Sequence, residues 1–163
     1  MLPRVTGMQL EIRTVWALPP MAATQWPVGF GVAMRLNADQ TQRTDCGVTF
    51  FSPRNASLTT LISNTGAIVD TPHDEAHSLV LPIKPRETNV TLHCFIDHSV
   101  LEAYGANGRA AITARTYPLD DALGVGLWAE GSNARRCSAA RAFEACTHPT
   151  VDFGVFWGRI FRK

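Results

Sequence analysis

The stretch Val90–Pro118, V-T-L-H-C-F-I-D-H-S-V-L-E-A-Y-G-A-N-G-R-A-A-I-T-A-R-T-Y-P, predicts three consecutive β-strands. Leu92, Cys94 and Ile96 alternate with His93, Phe95 and Asp97, which is the two-residue period of a strand with one buried face. Residues 97–99, Asp-His-Ser, are typical of a tight turn because Asp and Ser side chains bond nearby backbone. Asn107-Gly108 predicts a two-residue hairpin turn, since both residues tolerate positive φ. A third strand over residues 109–117 completes an antiparallel meander, which the final proline closes.

The rest of the chain shows the same rhythm of short apolar segments divided by Gly, Pro, Asn and Asp. Turn residues recur every ~8–12 residues, which is typical of a sandwich or a barrel, and periodicity alone leaves both architectures open. Only residues 136–145 are compatible with either a helix or a strand. The glycines of the second strand indicate a bulge or a close neighbouring backbone. Alternation predicts further strands over residues 9–18, 28–36, 44–51, 58–62, 67–69 and 79–83, with a polar loop over 70–77.

Polar residues at fixed offsets in the meander carry a family resemblance. They are Asp97, Ser99, Glu102, Tyr104, Asn107, Gly108, Arg109, Thr113, Arg115 and Pro118. Their spacing resembles the C-terminal β-sandwich module of glycoside hydrolase family 32, which includes invertases, inulinases, levanases and other β-fructofuranosidases. The family pattern usually has Phe where Tyr104 stands. Gly126–Gly131 resembles the next strand of that module, so the specific match covers residues 92–143.

The resemblance implies an all-β fold of two packed antiparallel sheets, a jelly-roll or concanavalin-like sandwich. We assign residues 1–146 to this module and residues 147–163 to a C-terminal extension. The aromatic and basic residues of 151–163 are compatible with an extra strand, a disordered extension or a membrane-surface segment. In the family, the catalytic domain is a separate N-terminal five-bladed propeller, and we expect it to be absent from this chain.

Asp97 and Glu102 are the one close pair of carboxylates that suggests catalysis. A retaining glycosidase needs two carboxylates ~5–5.5 Å apart. If the turn between the strands is tight, Glu102 lies opposite Phe95 and diagonal to Asp97 on the same face. The alternative is structural: Asp97 caps the turn, and Glu102 pairs with a base such as Arg109 or Arg115. We favour the structural interpretation.

The resemblance implies the same conclusion about catalysis. The propeller of family 32 carries the nucleophile in W-x-N-D-P-N-G, the transition-state stabiliser in R-D-P and the acid/base in E-C. None of these motifs occurs in this chain: residues 52–55 read S-P-R-N, and residues 144–146 read E-A-C. We therefore expect no catalytic residue and no cofactor, and we expect the chain alone to be inactive.

Histidines and cysteines do not form a recognisable site in the sequence. The histidines are scattered without the spacing of a zinc site, and the D-T-P-H-D-E-A-H segment 70–77 is interpreted as a solvated loop rather than a metal site. Cys46 and Cys94 lie in apolar strands, where plain core residues are commoner than reactive thiols. Cys137 and Cys146 could bridge the two ends of one segment, but connectivity cannot be read from sequence.

Composition and charge limit the classes of partner that this chain is expected to bind. Hydrophobic residues make up 45% and charged residues 18% of the chain, which is typical of a globular domain. The net charge of +1 and the lack of a basic run argue against nucleic-acid binding. No apolar run reaches the ~18 residues of a transmembrane helix. Charges at positions 4, 11 and 13 occupy the place where a signal peptide needs its apolar stretch. The family is usually secreted or vacuolar, and sequons at Asn55 and Asn89 are candidate N-glycosylation sites.

These observations favour a C-terminal portion of a longer sucrose or fructan β-fructosidase, without catalytic residues of its own. Its expected role is to pack on and stabilise a propeller, and we expect it to keep an apolar face for that purpose. Homo-oligomer contacts and carbohydrate binding are further roles that remain open. The alternative is a free-standing carbohydrate-binding or regulatory sandwich. An exposed stripe of aromatic residues such as Trp16, Trp26 or Trp128 would favour this alternative.

Overall fold

The computed structural model describes residues 6–18, 26–65, 72–131, 155–156 and 160–161. Within these ranges every regular element is a strand, and no helix is long and apolar enough to span a membrane. The strands are β1 (Gln9–Ala17), β2 (Val28–Leu36), β3 (Arg43–Ser52), β4 (Asn55–Thr65), β5 (Pro72–Pro82), β6 (Asn89–Asp97), β7 (Val100–Gly105), β8 (Ala110–Arg115), β9 (Gly124–Gly131), β10 (Val155–Phe156) and β11 (Ile160–Phe161).

The strands form two separate antiparallel sheets. Sheet I has the order β10-β1-β6-β7-β8, and β11 also pairs with β1. Sheet II has the order β5-β4-β3-β2-β9. The two sheets pack face to face through their buried side chains, which confirms the two-sheet sandwich and excludes the barrel. The meander read from the sequence is β6-β7-β8, three consecutive neighbours in sheet I.

The core lies between the sheets and is built from inward-facing residues of both. Trp16 of sheet I stacks on Phe30 of sheet II, with ring centroids 4.8 Å apart, and Phe30 contacts Phe50 at 5.9 Å. Such side chains each stabilise the fold by about 1.5–3 kcal/mol when they are fully buried. Alternation along β1 and β6 places one residue in two in this core, which is the pattern that the sequence predicted.

A disulfide between Cys46 and Cys94 crosses the core from β3 to β6. The sequence interpretation of both residues as plain core cysteines is right about their burial, but it missed the bond. The reason is that the two strands lie in different sheets, and no local pattern reports which residues face each other across a sandwich. Cys137 and Cys146, the pair that the sequence suggested, lie outside the described residues.

The first turn of the meander is as tight as predicted. Asp97 pairs with Val100 in the ladder, so His98 and Ser99 alone form the turn. His98 adopts a positive φ of 50°, and its backbone N–H donates to the Met8 carbonyl at 2.9 Å. The tight turn places Phe95 directly opposite Glu102, as expected from the sequence.

The second turn differs from the prediction. The predicted two-residue turn at Asn107-Gly108 is wrong, because the turn comprises the four residues 106–109. Strand β7 ends early since the Ala106 N–H turns away to donate to the Thr91 carbonyl at 2.8 Å. Positive φ at Gly108 (81°) is confirmed, and Ala106 and Asn107 share it. The third strand is accordingly Ala110–Arg115, shorter than the predicted 109–117.

The polar loop predicted over residues 70–77 is also wrong from residue 72 onward. Strand β5 begins there and pairs with the whole of β4, for example Leu61 with Ala76. Strand β5 is the edge of sheet II, so even its inward face is partly exposed and accepts polar residues. Its composition therefore resembles a loop, and a proline is tolerated at its first position. The predicted strand 67–69 lies outside the described residues.

Two short strands come from the region assigned to the C-terminal extension. Strand β10 pairs with β1 at Val15 and Trp16, and β11 pairs with β1 at Glu11 and Ile12. Both strands therefore add to the edge of sheet I, which agrees with the extra-strand interpretation of residues 151–163. The boundary at residue 146 remains a prediction. The intervening residues of this region lie outside the described part.

Candidate functional site

Most residues that carry the family resemblance lie on the outer face or at the turns of sheet I. Strand alternation turns Leu92, Cys94 and Leu101 into the core and their neighbours outward. One group of outward-facing side chains lies side by side on β1, β6 and β7, half buried rather than fully solvated. We call this group the outer aromatic face, and it consists of Glu11, His93, Phe95, Glu102 and Tyr104.

The outer aromatic face is held together by contacts among its own members. His93 Nε2 lies 2.9 Å from Glu11 Oε1, and the His93 and Phe95 ring centroids are 4.3 Å apart. Phe95 meets Tyr104 edge to face at 6.0 Å, and the Tyr104 hydroxyl donates to Glu102 Oε2 at 3.4 Å. Solvated sheet faces are usually polar, whereas three touching rings are typical of the centre of an interface.

Asp97 and Glu102, the two carboxylates that suggested catalysis, both have polar neighbours in the structure. Asp97 Oδ1 accepts a hydrogen bond from Gln9 Nε2 at 2.9 Å and lies 2.7 Å from His98 Nδ1, so it fixes the turn. The expected pairing of Glu102 with Arg109 or Arg115 is wrong. Arg109 instead pairs with Glu87, while Arg115 lies over the Tyr117 ring at 5.7 Å from its centroid.

Other motif residues stabilise the four-residue turn after β7. The Asn107 N–H donates to Thr91 Oγ1 at 2.7 Å, and Thr91 Oγ1 donates to Asn107 Oδ1 at 3.1 Å. Arg109 Nε donates to the Ala106 carbonyl at 2.9 Å. Gly108 provides the left-handed conformation that the turn requires. Asn107, Gly108 and Arg109 therefore all take part in this turn, and a purely structural role for them remains a prediction.

The remaining motif residues are placed as follows. The Ser99 carbonyl accepts a hydrogen bond from the Thr116 N–H at 3.0 Å, which links the first turn of the meander to the end of β8. Thr113 and Arg115 are exposed on β8, and Pro118 is buried just beyond it. The structure therefore spreads the motif over one face and two turns of sheet I, and does not gather it into a cleft.

The two sequons lie at accessible positions. Asn55 is the first residue of β4 and Asn89 is the first residue of β6, and both are exposed. A bulky oligosaccharide is tolerated at such surface positions. Glycosylation at either residue remains a prediction.

The histidine-rich segment is a strand from residue 72 onward. His77 Nε2 lies 3.0 Å from Glu75 Oε1 on β5. Among the described residues, no three His, Cys, Asp or Glu side chains come together in a way that could hold a metal ion. The first residues of the segment, 70 and 71, lie outside the described part.

A groove of about 240 Å³ occupies the outer face of sheet II. The backbone register places Trp128 of β9 in one row with Gly31, Gly47, Thr59 and Ser78 on the four following strands. The indole lies across the two glycines, because a Cβ on Gly31 would be 2.9 Å from Trp128 Cε2 and a Cβ on Gly47 would be 2.9 Å from Cη2. We call this feature the Trp128 groove.

Two carboxylates flank the Trp128 groove. Glu130 lies beside the ring over Gly29, where a Cβ would be 3.2 Å from the Glu130 Cγ. Asp45 lies on the other side, and its Oδ2 is 2.6 Å from Arg43 Nη2. The sequence had singled out Trp128 as an aromatic of interest but gave no reason for a groove. The missed signal is the combination of Gly29, Gly31 and Gly47, whose absent side chains make room for the ring.

The aromatic stripe that would favour the free-standing alternative is not present among the described tryptophans. Trp16 is buried in the core with 2% exposure, and its Nε1 donates to Thr14 Oγ1 at 2.7 Å. Trp26 is partly buried and packs against the core cluster. Trp128 alone of these three lies on an outer face, so the free-standing alternative loses most of the stripe that would have favoured it.

Comparisons with known proteins identify the family. A family model described as "Glycosyl hydrolases family 32 C terminal" matches residues 3–144. An insoluble β-fructofuranosidase isoenzyme of Arabidopsis thaliana is 38% identical over 61 residues, which are 36% of this chain and 11% of that protein. The extracellular exo-inulinase of Aspergillus niger is 31% identical over 116 residues, 68% of this chain and 20% of the exo-inulinase.

The fold is also similar to that of a solved enzyme. In the crystal structure of fructan 1-exohydrolase IIa from Cichorium intybus, the matching region has a TM-score of 0.60 at 17% identity and covers 84% of this chain and 30% of that chain. At this identity the likeness shows the fold alone. This chain spans only a fifth or less of the two curated relatives. The family match, in contrast, covers most of its length, and the chain therefore belongs to the C-terminal domain family of glycosyl hydrolases family 32.

Proposed function

We propose that this chain is the non-catalytic C-terminal module of a family 32 fructoside hydrolase, and that it packs on and stabilises a propeller catalytic domain. The outer aromatic face is the observation that carries this proposal. Its three touching rings lie on a sheet surface that the second sheet does not cover. Aromatic residues are enriched at the centres of protein interfaces, where charged residues are depleted or paired.

The charges of this face fit the same role. Glu11 and His93 already contact each other, with side-chain exposures of 26% and 32%. A partner that covers the face would therefore bury a Glu11 carboxylate that already has a hydrogen-bonding neighbour, which avoids the largest desolvation cost. The Tyr104 hydroxyl likewise donates a hydrogen bond to Glu102 in the absence of any partner. The face is thus prepared for burial with few polar groups left to satisfy.

The whole enzyme would cleave β-fructosidic bonds of sucrose or fructan, as the names of the relatives suggest, and it would act outside the cell or in the vacuole. The disulfide between Cys46 and Cys94 supports an oxidising compartment, since such bonds are rare in the cytosol. The exposed positions of Asn55 and Asn89 are compatible with glycosylation along that route.

Binding to a separately expressed propeller tests the proposal. The propeller of a family 32 exo-inulinase would be mixed with this chain, and the complex would be measured by sedimentation velocity. We expect Phe95→Asp to weaken the complex at least about tenfold, because a charge at the centre of the interface cannot be paired. Phe51→Asp is the matched control, since Phe51 is 52% exposed on sheet II. Equal weakening by both variants, or none by either, would contradict the docking face.

The isolated chain provides a second readout. Without a propeller, the outer aromatic face is left uncovered, and we expect the wild-type chain to self-associate or to express poorly. Phe95→Asp should reduce that self-association. If the wild-type chain is instead a soluble, monodisperse monomer that does not bind a propeller, the result would favour the free-standing carbohydrate-binding or regulatory sandwich.

A further inference from the structure

The Trp128 groove lies on the opposite side of the sandwich from the outer aromatic face, so a propeller docked on sheet I would leave it accessible. The groove belongs to the outer surface of sheet II, and its row from Trp128 to Ser78 crosses four strand spacings. At about 4.8 Å for each spacing, this row is about 19 Å long. The groove is therefore an elongated surface that suits a linear ligand lying across the strands.

The ring of Trp128 provides a platform that is fixed before any ligand binds. One face of the indole rests on Gly31 and Gly47, with no room for a side chain beneath it. An aromatic face held in this way loses little conformational entropy on binding, which favours affinity. Sugar rings present an apolar face of C–H groups, and such a face stacks well on an aromatic surface.

The rest of the groove is polar in a way that matches sugar hydroxyls. Thr49, Thr59 and Ser78 line it with hydroxyl groups, each of which can both donate and accept a hydrogen bond. The Thr59 hydroxyl donates to the Gly47 carbonyl at 3.4 Å and keeps its acceptor capacity. Glu130 beside the ring adds carboxylate oxygens, which are hydrogen-bond acceptors, to the lining of the groove.

The charges of the groove select against other ligand classes. Glu130 disfavours anions, and the described residues that line the groove include no Lys or Arg to attract them. Asp45 is offset by Arg43 at 2.6 Å, so the groove does not present a pair of uncompensated carboxylates for a polycation. A neutral ligand with many hydroxyls and an apolar ring face satisfies both conditions.

We propose that the Trp128 groove binds a neutral oligosaccharide, with one sugar ring stacked on Trp128 and the following rings hydrogen-bonded along Thr59 and Ser78. The groove would contact the oligosaccharide on one side only. Its volume of about 240 Å³ is below the ~300–1,000 Å³ of pockets that enclose ligands. Such a site keeps a polymer close to the enzyme without performing chemistry on it.

Titration calorimetry with the full chain tests this site. The probes are an inulin-type pentasaccharide and cellopentaose, and we expect at least one to bind with a dissociation constant of about 1 mM or tighter. Trp128→Ala should weaken binding at least about tenfold. Because this substitution also removes packing on the glycines, Ser78→Arg provides a second test: Ser78 is exposed on the edge strand, and an arginine there obstructs the groove without disturbing the core.

Phe51→Ala is the matched control, since it removes an exposed aromatic ring from the strand that carries Thr49 but lies outside the groove. Its binding should equal that of the wild type. Failure of both pentasaccharides to bind overturns the proposal, as does binding that survives both Trp128→Ala and Ser78→Arg. Salt-sensitive binding of a lysine-rich peptide with no binding of either sugar would show that the groove takes cations instead.

Discussion

Cys46 and Cys94 are joined by a disulfide that connects β3 of sheet II to β6 of sheet I. Both residues are fully buried, so the bond lies inside the same core that holds the sheets together. It closes a loop with a sequence separation of 48 residues. In the chain-entropy description, a loop of this length restricts the unfolded state enough to stabilise the fold by about 4 kcal/mol.

Removing the disulfide should weaken the sandwich without changing its architecture. We expect the double variant Cys46→Ala and Cys94→Ala to lose about 2–4 kcal/mol of unfolding free energy in a urea titration. The control is the same titration with a thiol reductant. The reductant should bring the wild type to the level of the variant and leave the variant unchanged. Equal stability of the oxidised wild type and the variant would contradict this assignment.

Gly31→Ala should destabilise the chain by at least about 2 kcal/mol. The new Cβ would overlap the Cys46 carbonyl oxygen and approach the Gly47 Cα to 2.6 Å, and neither backbone atom can yield cheaply. Gly7→Ala is the control, since its Cβ meets first the flexible end of Leu10, at 3.2 Å. Thermal melts that place both variants at the wild-type temperature would show that β2 and β3 are not this close.

Gly108→Val should cost about 1 kcal/mol or more, because a branched residue is forced into the left-handed region. No atom lies within 4 Å of the position that a Cβ would take, so the backbone conformation alone sets the cost. Gly108→Asn is the informative comparison, since Asn visits positive φ more readily, and it should melt close to the wild type. An unchanged melting temperature for Gly108→Val would contradict a left-handed conformation at residue 108.

The chain alone should not hydrolyse sucrose, inulin or levan. Asp97 is engaged with Gln9 and His98 in the turn, and Glu102 accepts a hydrogen bond from Tyr104. Glucose and fructose release from sucrose, and fructose release from the polymers, should therefore stay at the level of buffer. Turnover that disappears in Asp97→Asn or Glu102→Gln would assign catalysis to this pair after all.

The turn between β2 and β3 should make a small, pH-dependent contribution to stability. Hydrogen bonds from the Thr41 hydroxyl and N–H to Asp39 Oδ1, at 2.8 and 3.2 Å, hold the pKa of the Asp39 carboxyl below its ordinary value. A depressed pKa stabilises the fold above the ordinary value and loses that effect as the pH falls through the folded pKa. Asp39→Asn should therefore melt below the wild type near neutral pH, and the gap should close in acid.

Local patterns in the sequence predicted the parts of the fold that local physics decides. Alternation in β6 and β7 and the turn residues between them were enough to place Phe95 opposite Glu102. The length of the next turn depends on a hydrogen bond from Ala106 to Thr91, a residue on another strand, so it could not be read locally. The first half of strand β5 was predicted as a loop for a related reason. An edge strand is exposed, and its polar residues resemble those of a loop.

The candidate sites were less predictable because they arise from the register between strands. The motif residue Tyr104 was visible in the sequence, but its contact with Phe95 requires the pairing of β6 with β7. The Trp128 groove depends on β9 lying next to β2, a pairing across about three-fifths of the chain. No local spacing of residues in the sequence predicts that Trp128 contacts Gly31.

The pairing of β1 with β6 also determines when the sandwich can form. Glu11 and His93 are neighbours on adjacent strands, yet they are separated by 82 positions in the chain. At a translation rate of ~5–20 residues per second, β1 is synthesised about 4–16 s before β6. During that interval its apolar residues, such as Ile12 and Trp16, have no ladder to join, and strand pairings at such separations are slow to close. The apolar face of β1 therefore stays without its β6 partner until all of the intervening strands have been synthesised.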